Sequence, residues 1–332
     1  MFLIENYSLA VAFCFITMLC WGSWANTQKL ASQKWNFQLF YWDYSIGVVL
    51  ISLLLALTMG SYGEHGRGFI QDITSANSSA IMSAFIGGVI FNIANILLVI
   101  AIDITGMAVA FPVGIGLALV IGVIDNYIKD PSADPFLIFT GVLLIVLAIL
   151  LNAIAYKRLP NQQSGSSKGI IIALIAGVSM GFFYGFVADA MATNLITPEL
   201  GKLTPYSAVV VFALGIMLSN FIFNTINMYK PLSGEAVSYA DYIHKGTTKL
   251  HLIGILGGAI WGVGMAFNII ASEVASPAVS YGLGQGATMI AAFWGVVIWK
   301  EFQDAPKGTN KLLNLMFLLF IVGLGLVVYS KL

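Results

Sequence analysis

Of the 332 residues, 59% are hydrophobic and only 9% charged, and the mean hydropathy is +0.90. A soluble domain carries about 25% charged residues, so 15 basic and 15 acidic side chains cannot coat a water-soluble globule of this length. Their balance gives no basic field for nucleic acid, and Cys14 and Cys20, both inside one apolar run, point to neither a disulfide framework nor a zinc site.

What remains is an all-α integral membrane protein, multi-pass in a lipid bilayer. Apolar runs of about 20 residues, enough to cross a hydrocarbon core of about 30 Å as helices, predict ten spans. These are α1 to α10 at 7–28, 38–59, 80–102, 105–128, 136–156, 169–191, 205–228, 250–272, 276–298 and 312–330. The runs are continuously apolar rather than alternating, which selects helices over a barrel. The first is no cleaved leader, since Trp21, Gly22, Ser23 and Trp24 stand where small residues are needed.

In chain order, Trp21, Trp24 and Gln28 share a face of α1, and Lys29 ends it. Asp43 lies one turn inside α2. An ionised side chain at mid-bilayer costs about 2.5–3.5 kcal/mol, so Asp43 needs a reason. A structural pair with Lys29 and a role in substrate or proton binding are both open, and they are compatible. Trp35 and Trp42 suit an interfacial aromatic belt. Asn92 and Asn95 share a face of α3, as do Asn220, Asn224 and Asn227 on α7, and Tyr281, Gln285 and Thr288 on α9. Amides facing lipid would be left unsatisfied, so these stripes face protein or a wet cavity; for α7 interhelical bonding is favoured. Asp103 and Glu273 sit in very short turns, where helix capping accounts for them. Asp125 and Asp189 fall near the outer ends of α4 and α6, where exposure to water is the simplest account. Glycines at every fourth position, 177, 181 and 185 on α6 and 254, 258 and 262 on α8, clear faces for close packing or for sliding.

The polar stretch 157–168 separates residues 1–156, with five spans, from 169–332, with five more. A shift of 170 residues lays α3–α4 on α8–α9 without a gap. Gly87, Gly88, Asp103, Phe111 and Gly114 then meet Gly257, Gly258, Glu273, Tyr281 and Gly284. A shift of 163 lays Trp21, Gly22, Ala25 and Asn26 on Tyr184, Gly185, Ala188 and Asp189. An odd number of spans per copy inserts the second upside down, the architecture of secondary transporters with a site near the midplane. Pro112 on α4 and the glycines 282, 284 and 286 on α9 interrupt matching segments, which marks that site. Eleven Lys and Arg residues, Lys29 and Lys34 among them, fall on the side of the loops after odd-numbered helices; four fall on the other. The positive-inside rule therefore puts the odd loops in the cytoplasm and both termini outside.

No Gly-x-x-x-x-Gly-Lys-Ser/Thr, His-Glu-x-x-His or Gly-x-Ser-x-Gly run occurs, so neither an ATP-binding module nor a hydrolase is built in. No enzyme, cofactor or metal is expected.

Four blocks carry a resemblance: Trp21-Gly22-Ser23-Trp24, Asp43-Tyr44-Ser45, Tyr229-Lys230-Pro231-Leu232, and Phe293-Trp294-Gly295-Val296-Val297-Ile298-Trp299-Lys300-Glu301-Phe302. The chain resembles the drug/metabolite transporter superfamily and, across most of its length, the ureide permease family. It departs from the plant pattern in its short central loop. The resemblance implies proton-coupled uptake of ureides such as allantoin and of oxo-heterocycles such as uracil. A secondary resemblance to the glucose/rhamnose porters, around Pro112 and Gly114, makes a sugar the alternative, and the superfamily also contains metabolite and drug exporters.

The expected mechanism is a carrier in the inner cell membrane, monomeric or a homodimer, with one central site for a small-molecule substrate. Trp21, Trp24 and Tyr281 would supply flat surface, and Asn26, Asn92, Asn95 and Gln285 hydrogen bonds. Asp43 would carry the proton with Lys29 as its partner, and Asp189 is the next candidate.

Overall fold

The computed structural model describes residues 1–31, 35–160 and 166–332; Lys34 of the charge count and 161–165 of the polar stretch lie outside the described residues. Ten helices are long and apolar enough to span a membrane: α1 Tyr7–Ala31, α2 Phe37–Leu57, α3 Ser78–Thr105, α4 Met107–Lys129, α5 Pro135–Lys157, α6 Ser167–Ala190, α7 Pro205–Tyr229, α8 Thr248–Ala275, α9 Pro277–Ile298 and α10 Thr309–Tyr329. Among the described residues there is no strand beyond isolated bridges.

The helix starts follow local chemistry. Asn6 and Asp134 cap α1 and α5 by accepting from the amides of Leu9 at 2.9 Å and Leu137 at 2.8 Å. Proline opens α5, α7 and α9, where a missing N–H costs nothing. Asp103 and Glu273 do not cap; they sit inside the last turns of α3 and α8, and Gly106 and Ser276 take the cap positions.

The register of 170 residues reappears in three dimensions. The short helices Phe69–Ser75 and Tyr239–Lys245 correspond end to end, as do α3 and α8, each of 28 residues. The next residue has the same unusual backbone in both: φ 80°, ψ 157° at Gly106 and φ 72°, ψ 152° at Ser276. Glycine takes that conformation freely; Ser276 holds it while its Oγ accepts from Val279 N at 3.4 Å. Pro112–Gly116 winds as a π-helical turn in α4, and the matching stretch of α9 breaks between Gly284 and Ala287.

Packing repeats as well. α3 lies on α6 and α7 as α8 lies on α1 and α2, α4 lies on α6 as α9 lies on α1, and α5 pairs with α10. A methyl added at Gly88 would meet the carbonyl oxygen of Phe212, and one at Gly215 that of Phe85; at Gly258 it would meet that of Tyr44, and at Gly47 that of Ile255. Two backbones thus touch at equivalent crossings, α3 over α7 and α8 over α2. The arrangement is compatible with an inverted repeat.

The face carrying the termini and the even-numbered loops is tied shut. The Met1 amino group donates to the His65 carbonyl at 2.6 Å. Arg67 donates to the carbonyls of Pro198, Glu199 and Lys202 and pairs with Asp72 at 2.9 Å.

Trp35 and Trp42 form no interfacial belt. Both are buried, Trp35 donating to Asp43 at 3.0 Å and Trp42 to the Met228 sulfur at 3.2 Å, because protein rather than headgroups covers that end of α2. The amides of α7 are interhelical, as expected: Asn220 donates to Ser45 and Asn224 to the Gln38 carbonyl, both at 2.9 Å.

Candidate functional site

A cavity of about 520 Å³ opens among α1, α3, α4, α5, α6, α8 and α9, within the size range of small-molecule sites. Phe91 and Trp261, which correspond under the 170-residue register, meet in its wall with ring centroids 4.5 Å apart. Trp21 stacks on Trp261 at 5.8 Å and an 11° interplanar angle. With Trp24, Trp294 and Trp299, five of the seven tryptophans line one space.

The cavity reaches the odd-loop face, where Asp103, Met107, Tyr156 and Glu301 line it. Toward the even-loop face it is stopped. Tyr281, fully buried, donates to the carbonyls of Met180 at 3.2 Å and Ala118 at 3.3 Å. Beside it Tyr184, Ser280 and Asn268 bond one another across α6, α9 and α8.

Of the residues expected to bind solute, Trp21, Trp24, Asn26, Asn95 and Gln285 line the cavity. Asn95 donates to the Tyr41 hydroxyl at 3.1 Å, which leaves its Oδ1 without a partner among the described residues. Asn26 is spent on structure: its Oδ1 accepts from Trp299 at 2.6 Å and its Nδ2 donates to the Ser23 carbonyl at 2.9 Å. Asn92 and Tyr281 do not line the space. Asn92, three residues from Asn95, is rotated toward α7 and donates to Ser219 at 2.8 Å; Tyr281, one turn from Gln285, lies past the end of the cavity, behind the lining residue Met180.

Lys29 lines the mouth but does not meet Asp43. It pairs with Glu301 at 2.6 Å and lies 4.3 Å over the Trp299 ring, while Tyr156 donates to the other Glu301 oxygen at 2.8 Å. The expected Lys29–Asp43 pair is therefore replaced, because Asp43 faces α8 instead. Its carboxylate accepts from Trp35 at 3.0 Å, from the Tyr242 hydroxyl at 2.5 Å and lies 2.8 Å from His251 Nδ1. Gly254 makes the room, since a methyl there would overlap Asp43. Burial and the adjoining carboxylate push the Tyr242 hydroxyl well above its ordinary range, so it stays a donor. Asp189 is also outside the cavity, half exposed at the even-loop face and paired with Lys129 at 2.9 Å.

Sequence reasoning missed Phe91, Asn152, Tyr156, Trp261, Trp294, Trp299 and Glu301 as cavity residues. The register already aligned Phe91 with Trp261, and the block 293–302 held Trp294, Trp299 and Glu301.

The family model for ureide permeases matches residues 40–165 and 161–330. The chain belongs to the ureide permease family. Among relatives, Ureide permease 1 of Arabidopsis thaliana is 23% identical over 389 residues, covering 100% of this chain and 99% of that one. Ureide permease 4 of the same plant is 22% identical with the same coverage. A Listeria innocua serovar 6a protein whose name proposes sugar uptake is 26% identical over 74% of this chain and 75% of its own. A crystal structure with 14% identity superposes at a TM-score of 0.59 over 97% of this chain and 96% of that one, a likeness of fold alone. The family's members are named permeases, transporters rather than enzymes, in keeping with ten apolar helices, seven of which line the cavity.

Proposed function

We propose that this protein is a secondary transporter that takes up a small neutral polar solute together with a proton, by alternating access of two inverted five-helix halves. The observation that carries the reading is the tryptophan-lined cavity, reached from one face and stopped by Tyr281 on the other. Indole faces stack a flat ring, and the free Oδ1 of Asn95 with the Gln285 amide can match the N–H and C=O edge of a ureide such as allantoin or a nucleobase such as uracil. With the odd loops in the cytoplasm of the inner membrane and both termini outside, this is the inward-facing state.

Thermal-shift screening of the purified protein against ureides, nucleobases and hexoses tests the solute class. Ligand at about 100 times its Kd adds about 2.7 kcal/mol to the folded state. Stabilisation by allantoin or uracil supports the reading. A response to hexoses alone selects the second reading, a sugar porter, which the Listeria relative and the stacking surface favour.

Proton coupling is assigned to Asp43. It lies outside the cavity, but α2 also carries Tyr41, bonded to Asn95, and Tyr44, 4.9 Å from Trp24, so α2 can link the two. If Asp43→Asn retains accumulation driven by a pH gradient, the assignment is wrong.

A further inference from the structure

Each short helix is tied to the start of a long one by a carboxylate, and the two ties differ in kind. On the even-loop face, Asp72 of Phe69–Ser75 accepts from Thr204 N at 2.7 Å and Thr204 Oγ1 at 2.9 Å at the start of α7, with Arg67 as counter-ion. On the odd-loop face, the position matching Asp72 is Tyr242, and the carboxylate is Asp43, in the second turn of α2, with His251 Nδ1 2.8 Å from it. Arginine keeps its charge throughout the physiological range, whereas histidine exchanges a proton within it.

The helix crossing does not need this carboxylate. At the equivalent α3–α7 crossing the positions matching Asp43, Gly254 and His251 are Val211, Ala84 and Ile81. An apolar solution therefore exists for the same geometry, and at the α3–α7 crossing the positions matching the carboxylate and the imidazole are apolar. Access is also provided for: the His251 side chain is 28% exposed and the Asp43 side chain 1%. Among the described residues, the groups brought to the carboxylate are Trp35 from the segment before α2, Tyr242 from the short helix and His251 from α8. The other described charges of the short helix and of the start of α8 turn elsewhere. Asp241 pairs with Lys245 at 2.7 Å, and bonds from Lys245 and Ser238 hold its carboxyl down at about 2. His244 and Lys249 are exposed.

We propose that Asp43 and His251 form one proton-binding site that latches the short helix Tyr239–Lys245 to the α2–α8 crossing when loaded and releases it when empty. A proton from water on the odd-loop face enters at His251, and the net charge of the pair goes from −1 to 0. The loaded pair closes without an unbalanced charge. The empty pair carries one, which draws water and favours release. Loading and closure are linked in this proposal, so the latch is present at low pH and lost as pH rises. The proposal rests on the proton-coupled reading above, and it names His251 and the moving element.

Hydrogen exchange on the purified full-length protein, without solute and corrected for intrinsic rates, compares the two short helices within one molecule. Between about pH 6 and about pH 8.5, protection of 239–245 is expected to fall about tenfold relative to 69–75. His251→Gln, which keeps a donor but cannot titrate, removes that response, and Asp43→Asn does the same as a second variant. Equal responses of both helices in the wild-type protein overturn the latch without involving any variant. So does a response that survives His251→Gln. Uptake is not measured here, so loss of the latch leaves the solute reading standing, and a failed ligand screen leaves the latch standing.

Discussion

Asn95 and Asn26 stand on the same cavity wall and differ in what they have left to offer. Asn95 keeps an acceptor free, whereas Asn26 has both ends of its amide committed to Trp299 and Ser23. Asn95→Ala is therefore expected to weaken solute binding about tenfold, the worth of one buried hydrogen bond of about 1.4 kcal/mol, and to lower the melting temperature as well through the lost bond to Tyr41. Asn26→Ala should lower the melting temperature, because it frees the Trp299 N–H, and leave the affinity nearly unchanged. Isothermal titration and thermal unfolding of the two variants separate these outcomes; equal affinity losses would refute the distinction. Asp189 is a third case. Its pair with Lys129 is half exposed, and such pairs contribute about 0–1 kcal/mol. Asp189→Asn is expected to keep full accumulation under an imposed pH gradient, and loss of coupling in that variant would return Asp189 to the proton path.

At the scale of the element, backbone crossings replace side-chain packing. Apolar side chains gain little by leaving lipid for protein, so close backbone approach supplies much of the drive for helix association. Gly88 and Gly258 sit where an added methyl would strike a carbonyl oxygen of α7 or α2. Gly88→Ala and Gly258→Ala are each expected to cost about 1–3 kcal/mol through forced separation, read as a drop in melting temperature in detergent. Gly325, where a methyl meets nothing, is the control and should tolerate alanine. Much of this layer was legible in the sequence. Run length alone located ten spans, because the bilayer fixes how long a helix must be. The register of 170 residues paired Gly88 with Gly258 and the turns at Gly106 and Ser276, but not the helices that each glycine meets. What pattern could not supply was rotation. Asn92 and Asn95 differ by three positions, about 60° on a helix, and that turn sends one to Ser219 and the other to the cavity. Lys29 and Asp43 likewise sit at the same membrane face, and spacing along the chain could not say that Glu301 and His251 would claim them.

For the whole molecule, the decisive property is that the cavity reaches one face only. Phe111 and Tyr281 correspond under the register, yet Phe111 lines the cavity while Tyr281 plugs the opposite end. Two copies inserted in opposite senses would exchange these roles when access switches, so the plug on one face is the wall on the other. Ala291 lines the cavity and Ser280 lies in the seal, which makes them a matched pair of reporters. A membrane-impermeant maleimide is expected to label Ala291→Cys in inside-out vesicles and not in right-side-out ones, and to leave Ser280→Cys unlabelled from either side. The native Cys14 and Cys20 are controlled by labelling the wild-type protein in parallel. Labelling of Ala291→Cys from the outside alone would reverse the orientation read from the eleven-to-four split of basic residues. Labelling of Ser280→Cys in the absence of solute would show that the Tyr281 stopper does not hold, and with it the one-sided cavity on which alternating access depends.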